Sequence, residues 1–463
     1  MDDATADHRG SVWRRWDPHI HTPGTLLNDQ FTGTETWELY LSKIETAIPQ
    51  IEVLGVTDYY SLNAYKEVCK YQESGRLPGV HLLFPNVEMR LALGTGKGTP
   101  VNAHLLISPE DTGHVEEADR FLASLTFEVY GEVYRCTASD LLLLGRKHSP
   151  TQVDDASALR TGVNQFKVGF DNFRQEMRRS SWAQENIVVA VAGGSSDGTS
   201  GLKVDPSLAT VRREVEKFAK VIFSSQPKQR AFWLGKGSVS VDQLRENWNG
   251  LKPCLHGSDA HDLESVGAPV LDRYTWIKGD AAFESMRQAC IEPELRAFVG
   301  PAPPSGALPY KVMTSIAIAG AEWCQTPTIP LNSGLIGIIG ARGSGKTALA
   351  DIVAATGLAK PNDFSTGSFL HRAAPHLQGA NAELEWGDGE RTDCNISSFG
   401  IEPGEPPRVQ YLSQQFVEEL CSSDGIADAL VAQIERVVYL ANPSGDRLGT
   451  STFDELLDLS CAN

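Results

Sequence analysis

Short apolar runs recur between residues 16 and 261, and most of them end in a polar residue capable of chemistry. Helix-like stretches separate several of the runs, notably residues 36–48 and 62–71. The run Ile187–Ala192 does not alternate between apolar and polar residues, which is typical of a parallel strand covered by helices on both faces. Strands that alternate with helices predict an α/β fold, and polar strand ends predict an active face like that of a barrel. The predicted strands are Trp16–His21, Ile51–Asp58, His81–Glu88, Val101–Ile107, Ile187–Gly193, Val221–Phe223 and Cys254–His261.

The chain is predicted to contain two domains joined by a short linker. Residues 11–300 hold all of these runs, and we expect one barrel-like domain with a helical insertion at about 111–186. Residues 301–309 are rich in proline and glycine, which disfavour helix and loosen the chain, so they are predicted to be the linker. A second domain is expected at residues 310–463.

His19 and His21 end the first predicted strand two residues apart. Because side chains alternate between the faces of a strand, both imidazoles point to one side and Ile20 to the other, so both can bind one ion. Asp259 and His261 repeat this spacing with an oxygen and a nitrogen ligand. Each pair alone is more often structural or surface-exposed than metal-binding, so the prediction depends on the whole set.

Three further candidates are expected to complete the set if the strands converge. Asp58, Glu88 and His104 each lie towards the end of a predicted strand. Mixed imidazole and carboxylate ligands suit Zn²⁺, Mn²⁺ or Fe²⁺, and a carboxylate such as Glu88 can bridge two ions about 3.5–4 Å apart for phosphoester hydrolysis. The predicted catalytic residues are His19, His21, Asp58, Glu88, His104, Asp259 and His261, and all of them except Asp58 are predicted metal ligands.

The order and spacing of these motifs resemble the polymerase-and-histidinol-phosphatase (PHP) domain. The resemblance covers residues 11–300 and implies a distorted (β/α)7 barrel with a dinuclear or trinuclear metal centre and phosphoesterase or exonuclease activity. It implies a first metal on His19, His21, Glu88 and Asp259, with Glu88 bridging to a second metal on His104 and with His261 in a third site. The motifs that carry the resemblance are His19-x-His21, Thr57-Asp58, Glu88, His104 and Ser258-Asp259-Ala260-His261.

This chain departs from the family pattern at two places. Tyr59 stands where the family has a histidine, and the histidine expected near the fifth strand is missing from Ala192–Asp197. Asp197, His256 or water would then have to complete the second site. The centre is therefore expected to hold one or two ions, or to be degenerate and bind only phosphate. Lys236 and Arg230 are predicted to lie near the same face and to neutralise a phosphate.

Residues Gly340–Thr347 match the phosphate-binding pattern G-x-x-x-x-G-K-[ST], behind the apolar run Leu335–Ile339. The pattern predicts a strand, a glycine-rich turn and a helix that begins near Lys346. Its backbone N–H groups would surround the phosphates of ATP, Lys346 would reach the β- and γ-phosphates, and Thr347 would bind Mg²⁺. The alternative is a Gly/Ser loop that matches by chance. The predicted nucleotide-binding residues are Gly340, Gly343, Gly345, Lys346, Thr347 and, further along the chain, Gln414.

Gln414 is assigned by resemblance to ABC and SMC-like ATPases, in which a glutamine after a strand forms the Q-loop. Strands are predicted at 382–386 and 408–412, and helices at 416–420 and 426–440. The signature motif and the Walker B strand of these ATPases are not found, so the lobe is expected to be incomplete and the chain to be part of a longer protein. A PHP domain joined to such an ATPase resembles the TrlF-type fusion proteins, which include PHP–SMC proteins of bacterial anti-phage defence.

Composition restricts the class of protein and its expected location in the cell. The formal net charge of −18 argues against a nucleic-acid coat protein or a membrane-surface protein. The 8 scattered cysteines, the acidic N-terminus and the lack of a long apolar run predict a cytoplasmic protein without a membrane partner.

These observations favour a metal-dependent phosphoesterase, most simply a nuclease effector, gated by an ABC/SMC-like ATPase in bacterial anti-phage defence. The predicted partners are a nucleic acid or nucleotide substrate and, through the ATPase heads, a second copy of the chain. Two alternatives stay open. One is a nucleotide or small-molecule phosphatase, and the other is a degenerate barrel that serves as the scaffold of an ATP-dependent DNA-binding machine.

Overall fold

A computed structural model describes residues 9–463 except 96–97, 152–153, 205, 305, 326–327, 360–363, 365–366, 399–406, 413–430, 432–433, 436–437, 440–441, 443 and 462–463. The described residues form two compact units. One unit spans Gly10–Ser305, and the other contains Arg9 and the described residues from Gly306 onward. Among the described residues, none of the helices combines the length and the apolar character needed to cross a lipid bilayer.

The first unit is a mixed α/β structure built around one large sheet. Its strands are β1 Trp13–His21, β2 Val53–Tyr59, β3 Leu82–Gly94, β4 Pro100–Ile107, β5 Thr126–Val129, β6 Glu132–Arg135, β7 Ile187–Ala192, β8 Val221–Phe223, β9 Cys254–Leu255, β10 Tyr274–Lys278 and β11 Ala297–Gly300. Its helices are α1 Thr36–Glu45, α2 Asn63–Glu73, α3 His114–Ser124, α4 Ala138–His148, α5 Asp155–Gln165, α6 Phe170–Arg179, α7 Ser181–Asn186, α8 Ala209–Phe218, α9 Pro227–Trp233, α10 Val241–Trp248, α11 Phe283–Ile291 and α12 Pro293–Arg296.

The large sheet has nine strands in the order β11-β10-β1-β2-β3-β4-β7-β8-β9. It is mixed, because β1, β2 and β3 are parallel and β7, β8 and β9 are parallel, but β4 is antiparallel to both of its neighbours. The reason is local. Only residues 95–99 join β3 to β4, and a helical crossover between parallel strands needs a dozen residues or more. The prediction of regular β/α repeats is wrong at this point, whereas the α/β fold is confirmed.

The sheet curls until its two ends approach each other. The loop after β9 contacts β1, where the backbone N–H of Asp259 donates to the carbonyl of His19 at 2.8 Å. The same loop contacts β10, where the N–H of His256 donates to Thr275 Oγ1 at 2.7 Å. The result is a nearly closed barrel. One buried apolar cluster takes residues from all nine strands of this sheet and fills the interior: Trp16, Val53, Phe84, Leu106, Val188, Val221, Leu255, Ile277 and Ala297.

The insertion between β4 and β7 contains five helices, α3 to α7, and the separate hairpin of β5 and β6. Helices α4 and α5 pack at close range through two glycines. A Cβ atom on Gly145 would overlap the carbonyl oxygen of Ala158, and one on Gly162 would overlap the carbonyl oxygen of Leu141. The absence of side chains at these positions therefore sets the distance between the two helices.

The second unit contains a four-stranded antiparallel sheet in the order β13-β12-β14-β15 and the helices α13 to α15. Its strands are β12 Met313–Ala319, β13 Thr328–Pro330, β14 Asn381–Trp386 and β15 Arg391–Asn395, and its helices are α13 Lys346–Thr356, α14 Phe369–Arg372 and α15 Phe453–Cys461. The strand predicted at 382–386 and the helix start predicted near Lys346 are confirmed. The helix predicted at 416–420 lies outside the described residues, as does most of the one predicted at 426–440.

Two strand predictions in this unit are wrong. Residues 335–339 are not in a strand, and the side chains of Leu335 and Ile339 are 98% and 93% exposed. The described residues of 408–412 are not in a strand either. A strand needs a neighbour to pair with its backbone, and neither segment joins the four-stranded sheet.

Replacing Gly145 by Ala should lower the free energy of unfolding by about 1–3 kcal/mol, because the added Cβ forces α4 away from the α5 backbone. Chemical denaturation measures the change. Gly94→Ala is the matched control, since a Cβ at Gly94 meets no atom within 4 Å. Equal stability of the two variants would contradict the close packing of α4 and α5.

Candidate metal centre and nucleotide loop

The imidazoles of His19 and His21 meet on one face of β1. Their Nε2 atoms lie 3.2 Å apart, while Ile20 between them is fully buried in the apolar cluster on the other face. The second ring nitrogen of His21, Nδ1, lies 3.3 Å from Thr25 Oγ1. This contact orients the ring and leaves Nε2 for a ligand.

Glu88 reaches the same point from β3. Its Oε2 atom lies 3.3 Å from Nε2 of His19 and 3.3 Å from Nε2 of His21. The other carboxylate oxygen, Oε1, accepts a hydrogen bond of 2.7 Å from Asn102 Nδ2. Asn102 lies on the neighbouring strand β4 and was not predicted. Glu88 is also not at a strand end as predicted, since β3 continues to Gly94.

Asp259 comes from the loop that closes the barrel. Its Oδ1 atom lies 3.2 Å from His19 Nε2 and 3.7 Å from His21 Nε2. The loop is held against β1 by Asp17, whose Oδ1 accepts a hydrogen bond of 3.0 Å from the N–H of Ser258. Gly257 makes the approach possible, because a Cβ there would lie 2.6 Å from the backbone nitrogen of His19. Sequence reasoning missed both Asp17 and Gly257.

Three of these atoms, His19 Nε2, His21 Nε2 and Glu88 Oε2, have the spacing of ligands around one ion, because they lie 3.2–3.3 Å from one another. Ligands at about 2.0–2.1 Å from a tetrahedral Zn²⁺ are about 3.3–3.4 Å apart, so the three atoms fit a divalent ion. Asp259 Oδ1 lies 3.2 and 3.7 Å from the two imidazole nitrogens and belongs, with His21 and His261, to a second candidate set. Glu88 Oε2 is also fully buried without a hydrogen-bond partner, which is costly for a carboxylate unless a cation is its ligand.

The charges of the site also favour a cation. Burial by itself would lower the pKa of His19, but the carboxylates of Asp259, Glu88 and Asp17 outweigh it and raise that pKa to about 9. Burial would raise the pKa of Glu88, but the adjacent imidazoles of His19 and His21 lower it well below its ordinary value. The pKa of Asp259 is lowered as well, so Glu88 and Asp259 are ionised at neutral pH, and a proton on His19 occupies the place of a positive ion.

His261 and His104 flank this group on two sides. His261 Nε2 lies 3.6 Å from Asp259 Oδ1, and its ring stacks on His21 with centroids 4.2 Å apart. His104 lies directly opposite Glu88 on β4, and its ring is 4.7 Å from that of His19. Among the described residues, two sets have ligand atoms close enough to hold an ion. One is His19, His21 and Glu88, and the other is His21, Asp259 and His261. His104 belongs to neither set.

His104 is nevertheless prepared as a ligand. Its Nδ1 lies 3.1 Å from Asn86 Oδ1, and Asn86 in turn donates to Thr57 Oγ1 and to the carbonyl of Pro18. The amide oxygen of Asn86 accepts only, so Nδ1 carries the proton and Nε2 has its lone pair free. Burial and the nearby charge of His19 lower the pKa of His104 to about 3, so the ring is neutral.

Asp58 does not join the cluster. Its Oδ1 accepts a hydrogen bond of 2.9 Å from the N–H of Tyr59, and its other partners are Leu26, Ser61 and Ala64. Burial raises the pKa of Asp58 to about 6. The carboxylate organises the turn between β2 and α2. Tyr59, at the family's histidine position, stacks on His21 with ring centroids 4.9 Å apart.

The substitutes considered for the second site lie near the cluster. The carboxyl of Asp197 has a raised pKa through burial and through the charges of Glu88 and Asp259. His256 Nε2 is buried without a partner, and burial and His19 lower the pKa of this residue to about 4. Both residues thus interact electrostatically with the candidate ligands.

The two cations predicted to neutralise a phosphate are engaged elsewhere. Lys236 forms an ion pair with Glu294, and the guanidinium of Arg230 lies 4.9 Å from the ring centre of Phe298 and donates to the carbonyl of Ala297. Neither contact is with a metal-ligand candidate.

The predicted nucleotide loop is a turn that precedes α13. Gly343 and Gly345 have φ angles of +83° and +88°, which side chains disfavour. Lys346 Nζ donates to the carbonyls of Gly340 and Ala341, both at 2.9 Å. Thr347 is exposed in the first turn of α13, and Gln414 lies outside the described residues. A cavity of about 650 Å³ adjoins the loop and is lined by Gly343, Ser344, Gly345, Lys346, Trp323 and His376 among others.

Comparison with known proteins gives little support of its own. The sequence matches no family model and no curated protein. The chain is similar to the crystal structure of a candidate metal-dependent phosphoesterase from Bifidobacterium adolescentis, with 12% identity and a TM-score of 0.30, over 60% of this chain and 97% of that one. A similarity of this strength carries no functional conclusion, so the function has to be argued from the geometry above.

Replacing His19 by Ala, or Glu88 by Gln, should abolish stoichiometric binding of Mn²⁺ or Zn²⁺, since each change removes one of the three ligands His19, His21 and Glu88. Isothermal titration and metal analysis by mass spectrometry measure the loss. His81→Ala is the matched control, because His81 is exposed and belongs to neither candidate ligand set.

Metal affinity should rise about tenfold per pH unit between pH 6 and 8. A ligand must lose its proton before it binds, and His19, with a pKa of about 9, is still protonated throughout this range. His104 has a pKa of about 3, so it adds no pH dependence. Affinity that is flat over this range would show that His19 is not a ligand.

Proposed function

We propose that the barrel is a metal-dependent phosphoesterase. The observation that carries this proposal is the meeting of His19 Nε2, His21 Nε2 and Glu88 Oε2 at the spacing of ligands around one ion, with Asp259 Oδ1 3.2 Å from His19 Nε2. These atoms come from β1, β3 and the loop after β9. A buried carboxylate such as that of Glu88 is costly unless a cation balances it, and a divalent ion would do so.

The site is open on one side only. The side chain of Asp259 is 59% exposed, whereas those of Glu88 and His21 are 4% and 0% exposed. A divalent ion held here supplies a bound water that ionises near neutral pH and a positive charge for phosphate oxygens. Substrate therefore approaches over Asp259, and the buried residues hold the ion from behind.

The finer proposal is that the ester belongs to nucleic acid and that the second unit regulates its cleavage through ATP. It rests on the PHP resemblance and on the glycine loop before Lys346. A role in bacterial anti-phage defence is part of this finer proposal and rests only on the resemblance to the TrlF-type fusion proteins. The competing assignments are a nucleotide or small-molecule phosphatase and a non-catalytic scaffold, and substrate and metal assays separate all three.

With Mn²⁺ present, the protein should hydrolyse at least one of plasmid DNA, tRNA, dNTPs and p-nitrophenyl phosphate when these are assayed side by side. The hydrolysis rate of the double variant His19→Ala/His21→Ala should fall at least 100-fold, because the proposed catalysis depends on the metal that these residues bind. His81→Ala should keep the wild-type rate. Cleavage of the nucleic acids alone would support the nuclease, and cleavage of the small substrates alone would support the phosphatase.

Absence of bound transition metal, together with no activity after addition of Mn²⁺, would reject the phosphoesterase in favour of the scaffold. Cleavage by the double variant at the wild-type rate would reject the assigned ligands.

A second function, nucleotide binding, is favoured by the two left-handed glycines and the helix that starts at Lys346.

Lys346→Ala should weaken binding of a fluorescent ATP analogue at least tenfold, because a charge-assisted contact to phosphate is lost. Lys311→Ala, an exposed lysine of the same unit, is the control. The His19→Ala/His21→Ala variant should bind ATP as the wild type does. Unchanged binding by Lys346→Ala would identify the motif as a chance match.

A further inference from the structure

Arg273 lies at the edge of the barrel that carries the metal-ligand candidates. It directly precedes β10, which runs antiparallel to β1 with Thr275 opposite Trp16. Its Nη1 donates to the carbonyl of Ser225 at 3.2 Å, and Ser225 follows the carboxyl end of β8. The guanidinium therefore lies near the carboxyl ends of β1 and β8. These strands carry His19 and Phe223, whose rings are 5.4 Å apart.

The charge of Arg273 has no carboxylate partner within 4.0 Å among the described residues, although the side chain is only half-exposed. The other basic residues considered for this role, Arg230 and Lys236, are engaged away from the cluster. Arg273 also acts on the cluster, because its positive charge contributes to the lowered pKa of His256. A partly buried cation without a counter-ion next to a metal centre points to an anionic ligand.

The backbone before Arg273 is strained. Leu271 has φ +61° and ψ +28°, and Asp272 has φ +51°, so two successive residues other than glycine are left-handed. This conformation is unfavourable for residues with a Cβ. The turn is held by the N–H of Asp272, which donates to Pro269, and by the hydroxyl of Tyr274, which donates to Asp272 Oδ1.

The strained turn presents two aliphatic side chains to solvent. Val270 and Leu271 are 70% and 69% exposed, whereas Val266 a few residues earlier is buried in the core. Exposed aliphatic groups next to an unpaired guanidinium match a ligand that combines a phosphate with an organic group. Inorganic phosphate or polyphosphate would leave these side chains without a contact.

We propose that Arg273 binds the phosphate of the ester cleaved at the metal centre and that Val270 and Leu271 contact the organic group attached to it. The substrate class is then a phosphoester with an apolar face, such as a nucleotide unit. This inference rests on the proposed phosphoesterase and names the part of the site that selects its substrate.

The test measures binding of two probes, thymidine 5′-monophosphate and inorganic phosphate, to metal-loaded protein by isothermal titration. Arg273→Gln should weaken binding of both probes at least tenfold with unchanged metal content, because a charge-assisted hydrogen bond is lost. Arg273→Lys should restore part of it, since lysine keeps the charge but not the planar fork. Arg230→Gln is the control and should bind both probes normally.

Leu271→Gly should weaken binding of thymidine 5′-monophosphate several-fold and leave phosphate binding unchanged. Because glycine adopts the left-handed conformation freely, the melting temperature should not fall. A merely structural role of Leu271 would instead lower the melting temperature and leave the ratio of the two affinities unchanged.

Normal binding of both probes by Arg273→Gln would overturn the inference, even if the wild type cleaves esters. Loss of nucleotide binding in Arg273→Gln, with normal binding in Leu271→Gly, would overturn the part that concerns the organic group. If the wild type cleaves no ester but binds phosphate through Arg273, the proposed function fails and this assignment stands.

Discussion

The hydrogen bond from the N–H of Asp259 to the carbonyl of His19 is the contact on which the candidate site depends. It joins the loop after β9 to the first strand, and so it closes the barrel and brings a carboxylate to two imidazoles at once. The contact is possible because Gly257 has no side chain and Asp17 accepts the N–H of Ser258. Closure of the sheet and assembly of the site are therefore one event, and the left-handed backbone of Asp259, with φ +49°, is part of it.

The charge balance of the candidate site suits a divalent ion. Glu88 and Asp259 are ionised next to His19, whose raised pKa makes a proton the stand-in for a cation. Placing unlike charges close together offsets their removal from water only if the geometry is good. A divalent ion held by His19, His21 and Glu88 would balance these charges better than one proton does, and it would supply a bound water that ionises near neutral pH.

Much of the site was predictable because strand geometry is local. The period of two in a strand put His19 and His21 on one face, and the repeated polar strand ends selected Glu88 and His104. The expectation that these two lie at strand ends was wrong, because β3 and β4 form a long hairpin in which they stand opposite each other. Asp58 matched the same pattern, but its carboxylate accepts hydrogen bonds in the turn between β2 and α2. A position at a strand end does not determine which donors a carboxylate contacts.

The amino-acid sequence by itself determined the α/β class, the paired histidines and the helix that starts at Lys346, because these follow from side-chain period and local backbone preference. Only the tertiary structure decided the roles of Gly257 and Asp17, the position of Arg273 and the exposure of Leu335 and Ile339. Each of these depends on what packs against a residue from a distant part of the chain. For Gly257, Asp17 and Arg273 that neighbour is set by the closure of the large sheet, whereas Leu335 and Ile339 are exposed because their segment joins no sheet. No short stretch of sequence encodes either outcome.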